Sequence, residues 1–307
     1  MGITLTPALV RQLIDDEERG LRQRQCSPGA VDEIFRFGAV AGAVIERFDR
    51  LDRGMAHARQ LINDCEEGGR SFASGTVILA GELTSGQGRF QRYWHAPMGG
   101  VWMTVAFANT LLPESTRLYP LAAGLACCEA VRHYGVDARI KWVNDIHVQG
   151  RKIAGILTET VFGPRHGEEY VLVGIGINAN NHRFPPELAE SAVSLCTLLG
   201  REVEIELLAA RLLAKLAWSI GSLHYEERER LAADDGSGAG HDSLLVRQWQ
   251  ALSDTVGRRV LFGYDVQKNP QYEAQVTGIT PDGGLLLRHL ADNASGVEYS
   301  GEILYLD

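Results

Sequence analysis

Along the 307-residue chain, apolar and polar positions alternate with two different periods. Leu118, Leu121, Leu125 and Val131 recur at the spacing of one helix face, and Tyr134-Gly135 closes the helix expected over 115–134. Leu208, Leu212 and Leu216 mark a longer helix over 204–231. Shorter helices are expected over 55–65 and over the acid-rich 9–21. Strand-like runs occupy 42–48, 76–80 and 101–107, and 170–178 is an almost unbroken apolar run rich in β-branched residues, the pattern of a buried strand. Beyond Gly257 the period becomes two: Val260, Phe262 and Tyr264, then Tyr272, Ala274 and Val276, then 285–287 and 303–306. Short strands joined by a Pro-Asp-Gly-Gly turn at 281–284 predict a small β-barrel of SH3-like type. A Gly- and Asp-rich stretch, 232–241, reads as a flexible insert.

The most informative break in the pattern lies at 141–155, where Asn144 and Asp145 interrupt a strand-like run and Gln149-Gly150 supplies a tight turn. A two-residue loop pairs 148 with 151 and 147 with 152, so that Asp145 faces Ala154 and Asn144 faces Gly155. Alternate residues share a face, which places Lys141, Asp145, His147 and Lys152 on one side of the hairpin. Trp142, Ile146, Val148 and Ile153 fall on the other. Acid and amine groups thus converge beside small residues that leave room for a ligand.

A second polar cluster, 86–100, contains Gly86, Gly88, Arg89, Arg92 and Trp94. A glycine-interrupted loop with two arginines can fold over an anion, since guanidinium forks and free backbone N–H groups both bind phosphate or carboxylate oxygens. A flexible surface turn would explain the loop alone equally well. Gly174 and Gly176 share one face of the 170–178 strand. Their missing side chains admit either a ligand or a closely packed helix.

Taken in order, Gly-x-Gly-Arg-x-x-Arg-x-Trp (86–94), Lys-Trp-x-Asn-Asp (141–145), Arg-Lys-x-Ala-Gly-Ile-Leu (151–157) and Gly-Ile-Gly-Ile-Asn (174–178) resemble the catalytic core of the biotin protein ligases, within the biotin/lipoate ligase superfamily. The likeness runs over roughly 40–307, through Val256-Gly-Arg-Arg-Val260, Gly278-Ile, Asp282-Gly-Gly-Leu285 and Gly301-Glu-Ile303 of the tail. It implies an α+β fold: a mixed β-sheet with flanking helices, similar to the class II synthetase core, plus a small C-terminal SH3-like β-barrel. The expected organisation is an N-terminal extension of unknown role (1–40), a catalytic domain (41–250) and the small β-domain (254–307).

The resemblance also implies a two-step reaction. A carboxylate attacks the α-phosphate of ATP to give an acyl-adenylate, and a lysine of an acceptor protein of biotin carboxyl carrier type then takes the acyl group. Biotin is the leading acid. Arg89 and Arg92 would clamp phosphate and carboxylate, and Lys152 would neutralise the reacting oxygens. Asn144 and Asp145 would hold Mg2+, with Asp145 also a candidate proton acceptor. Gly86, Gly88, Lys141, Gly155, Gly174, Gly176 and Asn178 would line the nucleotide and substrate site, with Leu83 in the acid pocket. Trp94 fits either an adenine cover or a packing anchor.

Departures from the family pattern cluster in that pocket. The family has Ser-Thr-Asn after the Asp ending its first strand, whereas Asp52 is followed by Arg53-Gly54-Met55. A Gln is replaced by Leu83, the first motif Arg by Gln87, and a Pro by Val143. Each lost partner of a buried polar ring costs about 1–3 kcal/mol. Lipoate, octanoate, or a non-catalytic role in binding an adenylate or acyl group therefore stand as alternatives. Restoring Leu83→Gln, Arg53→Ser and Gly54→Thr together is expected to tighten biotin binding.

Composition adds limits. A net charge of −9 argues against broad electrostatic binding to nucleic acid. Five cysteines without Cys-x-x-Cys spacing read as reduced thiols of a cytoplasmic protein. No signal peptide is read at the start, and no apolar run approaches the roughly 20 residues that cross a bilayer. Forty residues are too few for a winged DNA-binding domain, so no repressor role is expected. The resemblance also allows a homodimer, since relatives pair through sheet edges.

Overall fold

The computed structural model describes residues 3–233 and 243–306. Most of the expected insert at 232–241 therefore lies outside the described residues. Helices α1 (Pro7–Leu13) and α2 (Arg19–Arg22) are joined by a π turn and followed by α3 (Pro28–Gly38). Strand β1 (Ile45–Leu51), α4 (Gly54–Glu67), β2 (Thr76–Leu83) and β3 (Val101–Ala108) come next, then α5 (Pro113–Thr116) and α6 (Tyr119–Arg132). Strands β4 (Arg139–Lys141), β5 (Asp145–Val148), β6 (Arg151–Phe162) and β7 (Glu169–Ile177) precede α7 (Leu195–Leu199), α8 (Ile205–Ala232) and α9 (Leu244–Leu252). The chain ends in β8 (Arg259–Asp265), β9 (Asn269–Ile279), β10 (Leu285–His289), β11 (Ser295–Glu298) and β12 (Glu302–Tyr305).

The first seven strands form one mixed sheet in the order β1-β2-β3-β7-β6-β5-β4, parallel only between β1 and β2. Strand alternation divides its residues between two environments. Val77, Leu79, Met103, Val105, Val173, Ile175, Ile146 and Val148 face the core that the sheet shares with α6 and α8. On the opposite face α4 covers only Ile78, Ala106, Tyr170 and Leu172. The remainder of that face stays open and becomes the cavity described below. The last five strands make a separate antiparallel sheet, β11-β10-β9-β8-β12, consistent with the expected small barrel. Its edge strand β11 has no counterpart in the sequence reading.

Several boundaries differ from the pattern, each for a local reason. The first strand starts at Ile45 rather than at 42, because Gly42 takes a left-handed φ of +82° and turns the chain. The helix expected over 115–134 divides into α5 and α6, with Pro120 seated in the first turn of α6, where its missing N–H costs nothing. The N-terminal helices are packed into the core: Leu5, Val10, Val31, Ile34 and Phe35 are buried. Between them and α8 lies a buried ion cluster. Arg22 donates to Glu18 at 2.8 Å and to Glu129 at 2.9 Å, and Lys215 meets Glu18 at 2.6 Å. All five cysteines are free. Among the described residues no helix is long and apolar enough to cross a membrane.

Candidate active site

Rows of side chains running across the open face of the sheet form the floor of the site. Trp102 of β3 pairs with Gly176 of β7, Gly176 with Gly155 of β6, and Gly155 with Asp145 of β5. Two residues along, Thr104 pairs with Gly174 and Gly174 with Leu157. The glycines leave the centre of both rows without side chains. A Cβ on Gly176 would stand 2.7 Å from the Trp94 indole nitrogen, and one on Gly155 would stand 3.1 Å from both Trp94 and the Lys152 side chain. Trp94 therefore lies flat over this floor, edge-on to Trp102 with ring centroids 6.4 Å apart. Its indole N–H is buried and has no acceptor among the described residues.

The hairpin forms as expected at its tip: Gln149 and Gly150 both take positive φ, and His147 pairs with Lys152. Further along, the expectation fails. Asp145 faces Gly155, not Ala154, and Ile146 faces Ala154. One extra residue in β6, a bulge between the two registers, shifts the pairing by one position. Asp145 and Lys152 nevertheless project to the same side and meet at 2.6 Å. Burial opposes charge on Asp145, but Lys152 and the neighbouring His147 outweigh it and hold the carboxyl well below its usual range. Asn144 donates its amide N–H to the Ile156 carbonyl at 2.8 Å, which leaves its side-chain oxygen unused. Lys141 lies 5.0 Å from the Tyr305 ring, and burial pushes its ammonium below the usual range.

The arginine loop reaches this site from the other side, bound to the C-terminal sheet. Arg92 makes a two-pronged pair with Glu302, at 2.6 and 2.9 Å, and a further bond of 2.6 Å to Asp265. Arg89 donates to the Gly301 carbonyl at 2.7 Å. Between them Phe90 and Gln91 adopt left-handed backbone, and the Phe90 ring sits against both guanidinium groups, at 4.9 and 5.4 Å. The loop base is tight: Trp94 N–H donates to the Gly86 carbonyl, and a Cβ on Gly86 would come 2.5 Å from the Trp94 carbonyl oxygen.

Hairpin, loop and floor enclose one cavity of about 770 Å³. All the residues expected from the sequence line it, Leu83, Gly88, Asn178 and Lys141 included. The sequence reading placed the site wholly within the large domain, whereas Val266, Glu302, Ile303 and Leu304 of the small sheet also line it. Gly301-Glu-Ile303 was visible as a motif, but nothing in it indicated contact with an arginine some 210 positions away. Thr104 and Trp102 were likewise missed, since Thr104 sits in an ordinary strand pattern. Among the described residues no group of three or more His, Cys, Asp or Glu is placed to hold a metal.

The Arg92 pair predicts a measurable change in the ligand-free loop. Glu302→Gln removes the two-pronged charge partner, worth roughly 1 kcal/mol for a half-exposed pair. Trypsin cleavage after Arg89 or Arg92 is expected to speed up about fivefold; an unchanged rate would show that Glu302 does not restrain the loop.

Residues 63–178 match the model of the biotin/lipoate A/B protein ligase family. Bifunctional ligase/repressor BirA of Bacillus subtilis is 33% identical over 185 residues, covering 58% of this chain and 55% of that protein. The central part of the chain, 63–178, is thus similar to the ligase domain of this family. A second relative, biotin–[acetyl-CoA-carboxylase] ligase of Mycobacterium tuberculosis, is 30% identical over 192 residues, 61% of this chain and 64% of its own length. The chain thus spans about half the length of the first curated relatives it matches. Among solved structures, biotin protein ligase from Aquifex aeolicus in complex with biotin and ATP superposes with a TM-score of 0.65 at 19% identity. That alignment covers 85% of this chain and 98% of the other, a likeness of fold.

The pocket also revises one expectation. A Cβ on Gly54 would stand 2.5 Å from the Thr104 hydroxyl oxygen, so Gly54→Thr requires the Thr104 side chain to rotate away. The triple restoration of the family residues therefore depends on how a side chain on a different strand repacks.

Proposed function

We propose that this chain is an ATP-dependent biotin protein ligase. The observation that carries the reading is the single cavity in which the Arg89–Arg92 loop and the Lys152–Asp145 pair share a glycine floor. Cations from two separate chain segments are thereby set around the volume where a carboxylate and a triphosphate must approach, and positioning with charge neutralisation is most of what adenylation requires.

In the first step a carboxylate oxygen of the acid bonds to the α-phosphorus of ATP as the bond to pyrophosphate breaks. Lys152 lies where it can offset charge on both reacting oxygens. Arg89 and Arg92 exchange Gly301, Glu302 and Asp265 for phosphate and carboxylate oxygens. In the second step a lysine amine of a carrier protein bonds to the acyl carbon and AMP leaves. The amine proton passes to a phosphate oxygen of AMP, because Asp145, held ionised by Lys152, is too weak a base for the expected role of acceptor. The unused side-chain oxygen of Asn144 and the carboxylate of Asp145 fit a Mg2+ ion, which takes one or two protein oxygens and completes its shell with phosphates and water. When bound, that ion would screen the triphosphate charge.

Leu83 and Met55 line the acid pocket and favour a second reading, the same chemistry on lipoate or octanoate. Pyrophosphate release from ATP, assayed with biotin, lipoate and octanoate in turn, separates the two. The expected result is release with biotin, followed by labelling of a biotin carboxyl carrier domain. Release with lipoate or octanoate alone would move the specificity, and release with no acid would leave only a binding role.

A further inference from the structure

Of the polar side chains on the hairpin face, Lys141, Asp145 and Lys152 line the cavity and His147 does not. The imidazole stands behind Asp145, and the proposed reaction gives it no task. Its Nε2 is buried and has no hydrogen-bond partner among the described residues. A buried polar atom without a partner weakens the fold, and an aliphatic side chain would fill the same place without that loss. The two carboxylate oxygens of Asp145 face different neighbours: Oδ1 lies 2.6 Å from the Lys152 ammonium, and Oδ2 lies 3.8 Å from His147 Nε2. The longer separation exceeds a hydrogen bond yet is too short to admit a water. Hairpin register sets this order. Lys152 pairs with His147 while Asp145 pairs with Gly155, so the lysine stem runs diagonally past the imidazole, its Cε 3.1 Å from where a Cβ on Gly155 would be. Across on β4 the facing cations are engaged elsewhere. Arg139, opposite His147, pairs with Asp137 at 3.1 Å, and Lys141, opposite Asp145, lies against the Tyr305 ring.

Resting on the adenylating reading above, we propose that His147 is a positioning residue that takes hold of Asp145 when substrate draws Lys152 away. The lysine has two roles that compete. Without ligand it balances Asp145; with ligand its charge is turned to the reacting carboxylate and phosphate oxygens, and its grip on Asp145 weakens. A shift of about 1 Å in the imidazole then brings Nε2–H within hydrogen-bond distance of Oδ2. The carboxylate stays in place with Oδ1 toward the cavity, rather than following the ammonium into the path of the anionic substrates. Lys152 is thereby released to the reacting oxygens without leaving a buried carboxylate unsupported. The imidazole touches neither substrate and acts only through Asp145. Its unpaired state in the ligand-free chain is what keeps a donor ready.

His147→Leu and His147→Gln in the full chain test the assignment, because the glutamine amide reproduces the reach of Nε2–H and leucine does not. With ATP and the acid that supports release in wild type, His147→Leu is expected to lower the maximal first-turnover rate of pyrophosphate release about tenfold. Half-saturating concentrations of both substrates are expected to stay within about twofold, since no binding contact is lost. His147→Gln is expected to recover to within about threefold of the wild-type rate. Thermal midpoints give a reading without turnover. Adding the acid with a non-hydrolysable ATP analogue is expected to raise the wild-type midpoint more than that of His147→Leu, since the imidazole is engaged only in the bound state. A wild-type rate in His147→Leu, equal losses in the leucine and glutamine variants, or equal midpoint shifts would overturn the proposal. Absence of release by wild type with every acid would instead remove the adenylating reading, and this assignment with it.

Discussion

Lys152→Ala is expected to slow pyrophosphate release by 10²- to 10³-fold, the loss typical of removing one preorganised charge from a reacting centre. The ammonium is held at 2.6 Å from Asp145 and 5.2 Å from the Trp94 ring, with its stem against Gly155. It is thus fixed before substrate arrives and spends little reorganisation during reaction. Removing it also leaves the Asp145 carboxylate facing the cavity without its main counter-charge, so anionic substrates meet repulsion where they met attraction. The structural cost is modest by comparison. Both side chains keep partial solvent access, 32% and 26%, and the pair contributes about 1 kcal/mol to stability. Lys152→Met, which retains the packing over Gly155, should match the alanine variant in turnover and exceed it in thermal midpoint. Turnover near wild type in either variant would refute the role given to Lys152.

The largest expected loss of stability comes from two glycines far from the cavity. A Cβ on Gly38 would lie 1.8 Å from the Ala217 carbonyl oxygen, and one on Gly221 would lie 2.0 Å from that of Ile34. Here α3 and α8 cross with their backbones in contact, so the obstructing atoms are main chain and cannot rotate aside. Gly38→Ala and Gly221→Ala are each expected to destabilise by about 3 kcal/mol, the upper part of the range for overpacking. The double variant should lose less than the sum, since helices already forced apart by one Cβ accommodate the second. Denaturant midpoints would check this, and a midpoint unchanged in either single variant would show that the crossing can widen without cost.

These two sites differ in how far they could be foreseen. Lys152 and Asp145 lie on a short hairpin whose turn, Gln149-Gly150, declares itself in the sequence, and local geometry alone sends both side chains to one face. The bulge that moved Asp145 opposite Gly155 was not foreseeable, because both registers satisfy the same alternation near the turn. Gly38 and Gly221 look like any helix glycines until the two helices are brought together.

Periodicity and turn chemistry in the sequence determined most of the elements, the strand-rich tail and the residues that share the hairpin face, while the mixed sheet and the full set of site residues were what the family resemblance of four motifs implied. Those properties depend on neighbours a few positions apart. Tertiary structure alone decided what each group would meet: Arg92 held by Glu302 and Asp265, Thr104 filling the space left at Gly54, and the small sheet completing the cavity. Contacts of this kind join segments far apart in the chain, and they follow from which surfaces fit when the layers pack, which no local pattern encodes.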